Sequence, residues 1–148
     1  MPYIKVHLHC IWSTKDRIHF LSTKEMRTQI WQHIRENAKH KNIYIDFING
    51  YSDHCHCLIS LGVDQTISKV MQLIKGESSF WINRNIEPFS VGSAKFEWQE
   101  EYFAVSVSES MLEKVRTYIQ NQEEHHKVKT FNEEYNKLIS AYGFDKCG

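Results

Sequence analysis

Residues 43–61 read IYIDFINGYSDHCHCLISL, and the rest of the architecture can be laid out around them. Ile43 to Gly50 is rich in β-branched and aromatic residues. Tyr51-Ser52-Asp53 leads out of it, and His54 to Leu61 is a second β-rich run, so the two form an antiparallel pair. In a strand, alternate side chains share a face. His54 and His56 therefore emerge on the same side, about 6 to 7 Å apart at the backbone, with Cys55 and Cys57 on the other. That alternation argues against a four-ligand His-Cys-His-Cys zinc site, because adjacent strand residues cannot reach one metal together. Two imidazoles on one face can converge on a cation. They can equally be hydrogen-bonded core or surface groups, and the same spacing occurs at His7-Leu8-His9.

Upstream, residues 4–12 alternate, with Ile4, Val6, Leu8, Cys10 and Trp12 on one face and Lys5, His7 and His9 on the other, the period of a first strand. Ser22 and Glu25 have capping-box spacing, and Met26, Ile30, Ile34 and Ala38 recur at helical intervals to about His40. Downstream, Ile67, Val70, Met71, Ile74 and Trp81 mark a second helix from Gln65 to about Asn83, interrupted only by Gly76. A final strand is predicted within 98–107, and a capping box at Ser110 and Glu113 opens a helix through about His126. The order β-α-β-β-α-β followed by a helix predicts an α+β, ferredoxin-like split βαβ antiparallel sheet with an additional C-terminal helix. Strands one and three lie side by side in its middle.

The length of 148 residues fits a single domain, 1–148. No window has the apolar length of a membrane span, and the N-terminus lacks a signal-peptide pattern, so a cytoplasmic protein is expected. Cys10, Cys55, Cys57 and Cys147 are too scattered for a disulfide framework. Eighteen basic and eighteen acidic residues cancel. Any nucleic-acid partner must then be held by a local groove rather than by a global field.

A third metal ligand is available on the last helix. Tyr118 and Gln122 are four apart, so a cation held by the Gln122 carbonyl oxygen would lie within reach of the Tyr118 phenol. Met111, Val115, Tyr118 and Gln122 can also be read as the buried stripe of an amphipathic helix, and Tyr102 is the nearest competing tyrosine.

The ordered stretches LHCIWSTKDR (8–17), DHCHCLISL (53–61), KGESSFWIN (75–83), WQEEYFAVSVSES (98–110) and YIQNQEEHH (118–126) carry a resemblance over nearly the whole chain. The chain resembles the single-tyrosine HUH transposases, TnpA-like enzymes of small insertion sequences that move as single-stranded DNA, and their relatives associated with repetitive palindromes. The resemblance implies that His54 and His56 are the paired metal-ligand histidines, Gln122 the third ligand and Tyr118 the nucleophile. His7 and His9 belong to the first-strand motif and are not the ligand pair. Cys55 stands where the family usually has an aliphatic residue, and it can pack as one.

With an open His, His, Gln site the implied cofactor is Mg²⁺ or Mn²⁺. The implied reaction is cleavage and rejoining of single-stranded, hairpin-flanked DNA through a 5′-phosphotyrosine link. No ATP is needed, and no glycine-rich phosphate-binding loop is present. Trp12, Arg17, Lys69, Lys75 and Arg84 are candidate DNA contacts, each with an ordinary surface or packing role as the alternative. The resemblance also implies a homodimer in which the tyrosine helix of one subunit completes the metal site of the other. Rival readings are a domesticated relative that binds hairpins without transposing, a non-catalytic ferredoxin-like RNA-binding module, and a metal-dependent hydrolase that uses water. The RNA-binding module lacks its expected glycine and aromatic pattern, and the hydrolase would keep full activity in Tyr118→Phe.

Overall fold

A four-stranded antiparallel sheet forms the middle layer, in the order β2-β3-β1-β4. Its strands are β1 (His7–Ser13), β2 (Tyr44–Tyr51), β3 (His54–Ser60) and β4 (Phe103–Val107). This is the split βαβ topology expected from the sequence, with β1 and β3 central and paired from His7↔Ser60 to Ser13↔His54. The computed structural model describes residues 2–90, 95–127 and 129–142. Cys147 lies outside them.

Strand alternation sorts the side chains into two faces. Leu8, Cys10 and Trp12 of β1 and Cys55, Cys57 and Ile59 of β3 join Ile43 and Ile45 in the larger core. That core is closed by α1 (Lys24–His40) through Ile30, Trp31 and Ile34, and by α2 (Ile67–Asn85) through Val70, Met71, Ile74 and Ile82. The other face carries His9, Ile11, His54, His56 and Leu58. It is covered by α3 (Leu112–Gln120), α4 (Gln122–His125) and α5 (Phe131–Ala141), whose apolar residues form two smaller clusters. Between Ile45 and Phe47 the β2–β3 register shifts, so Asp46 is bulged out of the ladder. The bulge reverses the alternation. Ile45 faces the larger core, while Phe47 packs on the other side with Val115 and Tyr118.

Several element boundaries differ from the sequence reading. β1 starts at His7, not residue 4, because its neighbours end at Ser60 and Val107; Ile4 and Val6 are 42% and 41% exposed. α1 is capped by Thr23, whose side chain accepts from Met26 N, rather than by Ser22. α2 begins after the Thr66 cap and runs to Asn85. Only Phe103–Val107 of the predicted last strand is in the sheet, although Trp98 makes an isolated bridge with Thr14.

The predicted helix over 110–126 is not continuous. Glu109–Met111 form a 3₁₀ turn, Ser110 is not a cap, and the helix breaks at Asn121 between α3 and α4. The break has a tertiary cause. The Asn49 side chain, from β2, donates to the carbonyls of Ile119 at 3.0 Å and Gln120 at 3.1 Å, satisfying groups that a continuing helix would have used. α5 has no counterpart in the sequence reading. Among the described residues no helix is long and apolar enough to cross a membrane.

Candidate metal centre and tyrosine

β3 delivers His54 and His56 to one face, both fully buried. The bend at Asn121 turns Gln122 inward until it too is fully buried. His54 Nε2 lies 2.9 Å from Gln122 Oε1. Tyr118, one turn earlier on α3, sits edge-on to His56 with ring centroids 5.6 Å apart. All four residues expected from the sequence thus meet at one place. Tyr102, the rival tyrosine, lies elsewhere, beneath the Lys75 ammonium at 5.5 Å.

Two further side chains converge on the same point. Glu134, on the buried face of α5, places Oε1 at 3.1 Å from His56 Nε2 and 3.5 Å from His54 Nε2. His126 Nε2 is 3.3 Å from that oxygen and 3.1 Å from Gln122 Oε1. Ligands at about 2.1 Å on octahedral axes stand about 3.0 Å apart, so these separations are those of neighbouring ligands around one cation. His54, His126 and Glu134 form a compact metal-capable group, with ligand atoms all within 4.8 Å of one another.

The outward nitrogens explain why the inward ones are available. His54 Nδ1 donates to Asp53 Oδ1 at 2.9 Å, and His126 Nδ1 donates to the Lys129 carbonyl at 2.8 Å; neither acceptor can donate in return. His56 Nδ1 is 2.9 Å from His9 Nε2, so His9 of the first-strand motif orients the His56 ring. The three Nε2 atoms thus face the centre, beside the Gln122 and Glu134 oxygens. Imidazole nitrogens, an amide oxygen and a carboxylate oxygen converging on one point are a donor set that fits a divalent ion.

Electrostatics agree. Burial pushes His56 down to about 4, against the hydrogen bond and charge of Glu134, and burial pushes His9 down to about 3. Both rings are therefore neutral near pH 7. Burial works against ionisation of Glu134, but hydrogen bonds from His126 and His56 and the neighbouring imidazoles outweigh it and hold the carboxyl well below the usual range. Tyr118 donates its phenolic hydrogen to Glu134 Oε2. Burial first, and then the charge of Glu134, raise its pKa well above that of a free phenol. On the opposite face, burial raises the thiols of Cys10 (to about 12), Cys55 and Cys57, which lie in the larger apolar core away from the histidine cluster.

α5 was not anticipated, yet it seals the site. Phe131 stacks on His54 with centroids 4.2 Å apart, and Glu134 follows three residues later on the same face. A local signal existed: Thr130 accepts from Glu133 N while the Glu133 carboxylate accepts from the Thr130 hydroxyl, a capping-type pair readable as T-x-x-E. The adjacent His125-His126 pair was another.

The candidate DNA contacts divide. Trp12 is a correction: it is 2% exposed and packs edge-on against Trp98 at 5.8 Å, so it is core and offers no face to a ligand. Its place in the alternating apolar face of β1 accounts for this. Lys75 is half-buried, donates to the Glu100 carbonyl at 2.7 Å, and lines a groove of 600 Å³ with Lys15, Gly76, Trp98 and Tyr102. Arg17 packs its guanidinium over Phe131 and Tyr135. Lys69 is exposed, as is Arg84, which lies over the Phe80 ring. Neither Lys69 nor Arg84 lines the Lys75 groove.

Residues 3–122 match the family model described as "Transposase IS200 like". Among solved structures the chain is similar to a candidate transposase from Deinococcus radiodurans R1. The two are 23% identical with a TM-score of 0.64, over 82% of this chain and 93% of that one. It is also similar to a REP-associated tyrosine transposase bound to a REP hairpin, at 18% identity and a TM-score of 0.60, over 85% of this chain and 72% of the other. At these identities the likeness is one of fold. No curated protein matches the chain. The matched span runs from before β1 through Gln122 and includes the paired histidines and the tyrosine, so the chain belongs to the IS200-like family of single-tyrosine HUH transposases.

Proposed function

We propose that the protein is a metal-dependent DNA transposase that cleaves and rejoins single-stranded, hairpin-flanked DNA through a 5′-phosphotyrosine intermediate. His54, His56 and Gln122 hold a divalent cation, Mn²⁺ or Mg²⁺, and Tyr118 is the nucleophile. One observation carries the reading: α3 and α4 bring Tyr118 and Gln122 to the two β3 histidines within a single chain. The imidazole-rich donor set favours Mn²⁺ over Mg²⁺.

A bound divalent cation supplies polarisation of the scissile phosphate and offsets the charge that develops on it. The protein contributes the geometry. Tyr118 Oη forms a bond to phosphorus as the bond to the 3′ oxygen breaks, and the proton lost by the phenol is balanced by the one the leaving 3′ oxygen takes. The ester keeps the bond energy, so a second 3′-hydroxyl can reverse the step without ATP. An opened strand is required for the backbone to reach a tyrosine this enclosed. The hairpin carried by the REP-associated relative supports a hairpin substrate here.

Lys75, Arg17, Lys69 and Arg84 are the remaining candidate DNA contacts. Tyrosine and histidines meet within one chain, so this geometry does not call for the exchange of tyrosine helices between subunits that the resemblance implied. A homodimer and a cytoplasmic location remain part of the proposal. The test is incubation of labelled single-stranded hairpin DNA from the gene's own flanks with Mn²⁺, followed by a denaturing protein gel. A covalent band absent in Tyr118→Phe and with chelator is expected. Cleavage that persists in Tyr118→Phe would replace this reading with water-based hydrolysis.

A further inference from the structure

α5 lies beyond the span matched by the family model, yet among the described residues it inserts the carboxylate that touches both the histidines and the tyrosine. Glu134 is 2% exposed and reached by the His56, His54 and His126 rings through Oε1, while Oε2 accepts the Tyr118 phenol and lies 3.1 Å from His125 Nε2. Burying an ion this deeply is costly unless it is compensated. The His54, His56 and His126 Nε2 atoms and the Gln122 amide oxygen gather around that carboxylate oxygen at the spacing of neighbouring ligands, and a divalent cation among them would compensate its charge.

We propose that Glu134 is a ligand of the cation through Oε1 and the positioning residue for the Tyr118 nucleophile through Oε2, with His126 as the neighbouring ligand on the same arm. This rests on the metal centre proposed above and extends it. One carboxylate group fixes the distance between metal and phenol, and α5 becomes part of the catalytic centre. The capping pair at Thr130 and Glu133, and Phe131 stacked on His54, hold the helix in the register that delivers Glu134.

The test is Mn²⁺ binding to the whole chain, without DNA, by calorimetry on wild type, Glu134→Gln and His54→Ala. One site per chain is expected, lost in His54→Ala and weakened at least about tenfold in the isosteric Glu134→Gln. Wild-type affinity in Glu134→Gln, with His54→Ala silent, overturns the role of Glu134 and leaves the metal centre standing. No binding to the wild type brings down both. At saturating Mn²⁺, Glu134→Gln should still form the DNA adduct at least about tenfold more slowly, because the phenol has lost its anchor. An unchanged rate overturns the positioning role, and a faster one makes Glu134 a competitor of the substrate. Anomalous diffraction from Mn²⁺-soaked wild-type crystals answers without a variant. A cation within about 2.5 Å of Glu134 Oε1 supports the proposal, and one bound to His54 and His56 with that oxygen beyond about 3.5 Å overturns it.

Discussion

His9 and His56 tie the site to the stability of the fold. Both are held neutral by burial, at about 3 and about 4, against 6.5 for a free imidazole. The unfolded chain takes up protons on these rings below about pH 6.5 while the folded chain does not, so their contribution is complete at neutral pH and is lost as pH falls from 6.5 towards 4. Glu134 is shifted downward as well, so its contribution too is lost as pH falls, but only once the pH is well below the ordinary carboxylate range. Between pH 6.5 and 4.5 the histidines therefore set the slope. Thermal denaturation of the metal-free protein should show a falling midpoint across this window, with a shallower fall in His9→Gln. A midpoint independent of pH there would contradict the burial argument. Strand parity made His54 and His56 legible in the sequence, because alternation is local. The role of His9 was not legible, since it depends on β1 pairing beside β3.

At the level of elements, the β2–β3 hairpin aims the ligands, and Gly50 is its tightest point. A Cβ there would stand 2.2 Å from the His54 carbonyl oxygen and 3.0 Å from Cys55 Cα, both backbone atoms that cannot swing aside. Gly50→Ala is expected to cost at least about 2 kcal/mol in denaturant unfolding and to lower Mn²⁺ affinity by displacing His54. Unchanged stability would mean that the hairpin can relax freely. The sequence announced the hairpin and the helix bearing Tyr118. It did not announce the break at Asn121, because the Asn49 side chain that ends α3 comes from 70 residues away. α5 was missed for a related reason: its Thr130–Glu133 pair is a weak local signal, and Glu134 acquires its meaning only when the helix docks over His54. Trp12 shows the converse, since its alternation with Leu8 and Cys10 already marked it as core.

The whole molecule is a sheet with an apolar layer on one side and a polar, metal-capable layer on the other. Cys10, Cys55 and Cys57 face the first, and His9, His54 and His56 the second. Since the tyrosine and its partners lie in one chain, a homodimer should form without subunits having to supply each other's nucleophile. Mixing Tyr118→Phe with His54→Ala should therefore fail to restore adduct formation, while light scattering reports the dimer; restored activity would show that the helices exchange between subunits. The zero formal charge agrees with a substrate held by enclosed, local contacts rather than by a broad basic field. The most direct test of the central claim is peptide mapping by mass spectrometry of the protein–DNA adduct formed with hairpin DNA and Mn²⁺. The account predicts a nucleotide joined through its 5′ phosphate to the peptide that contains Tyr118. A nucleotide on the Tyr51 or Tyr102 peptide, or cleaved DNA with a free 5′ phosphate and no adduct, would contradict it.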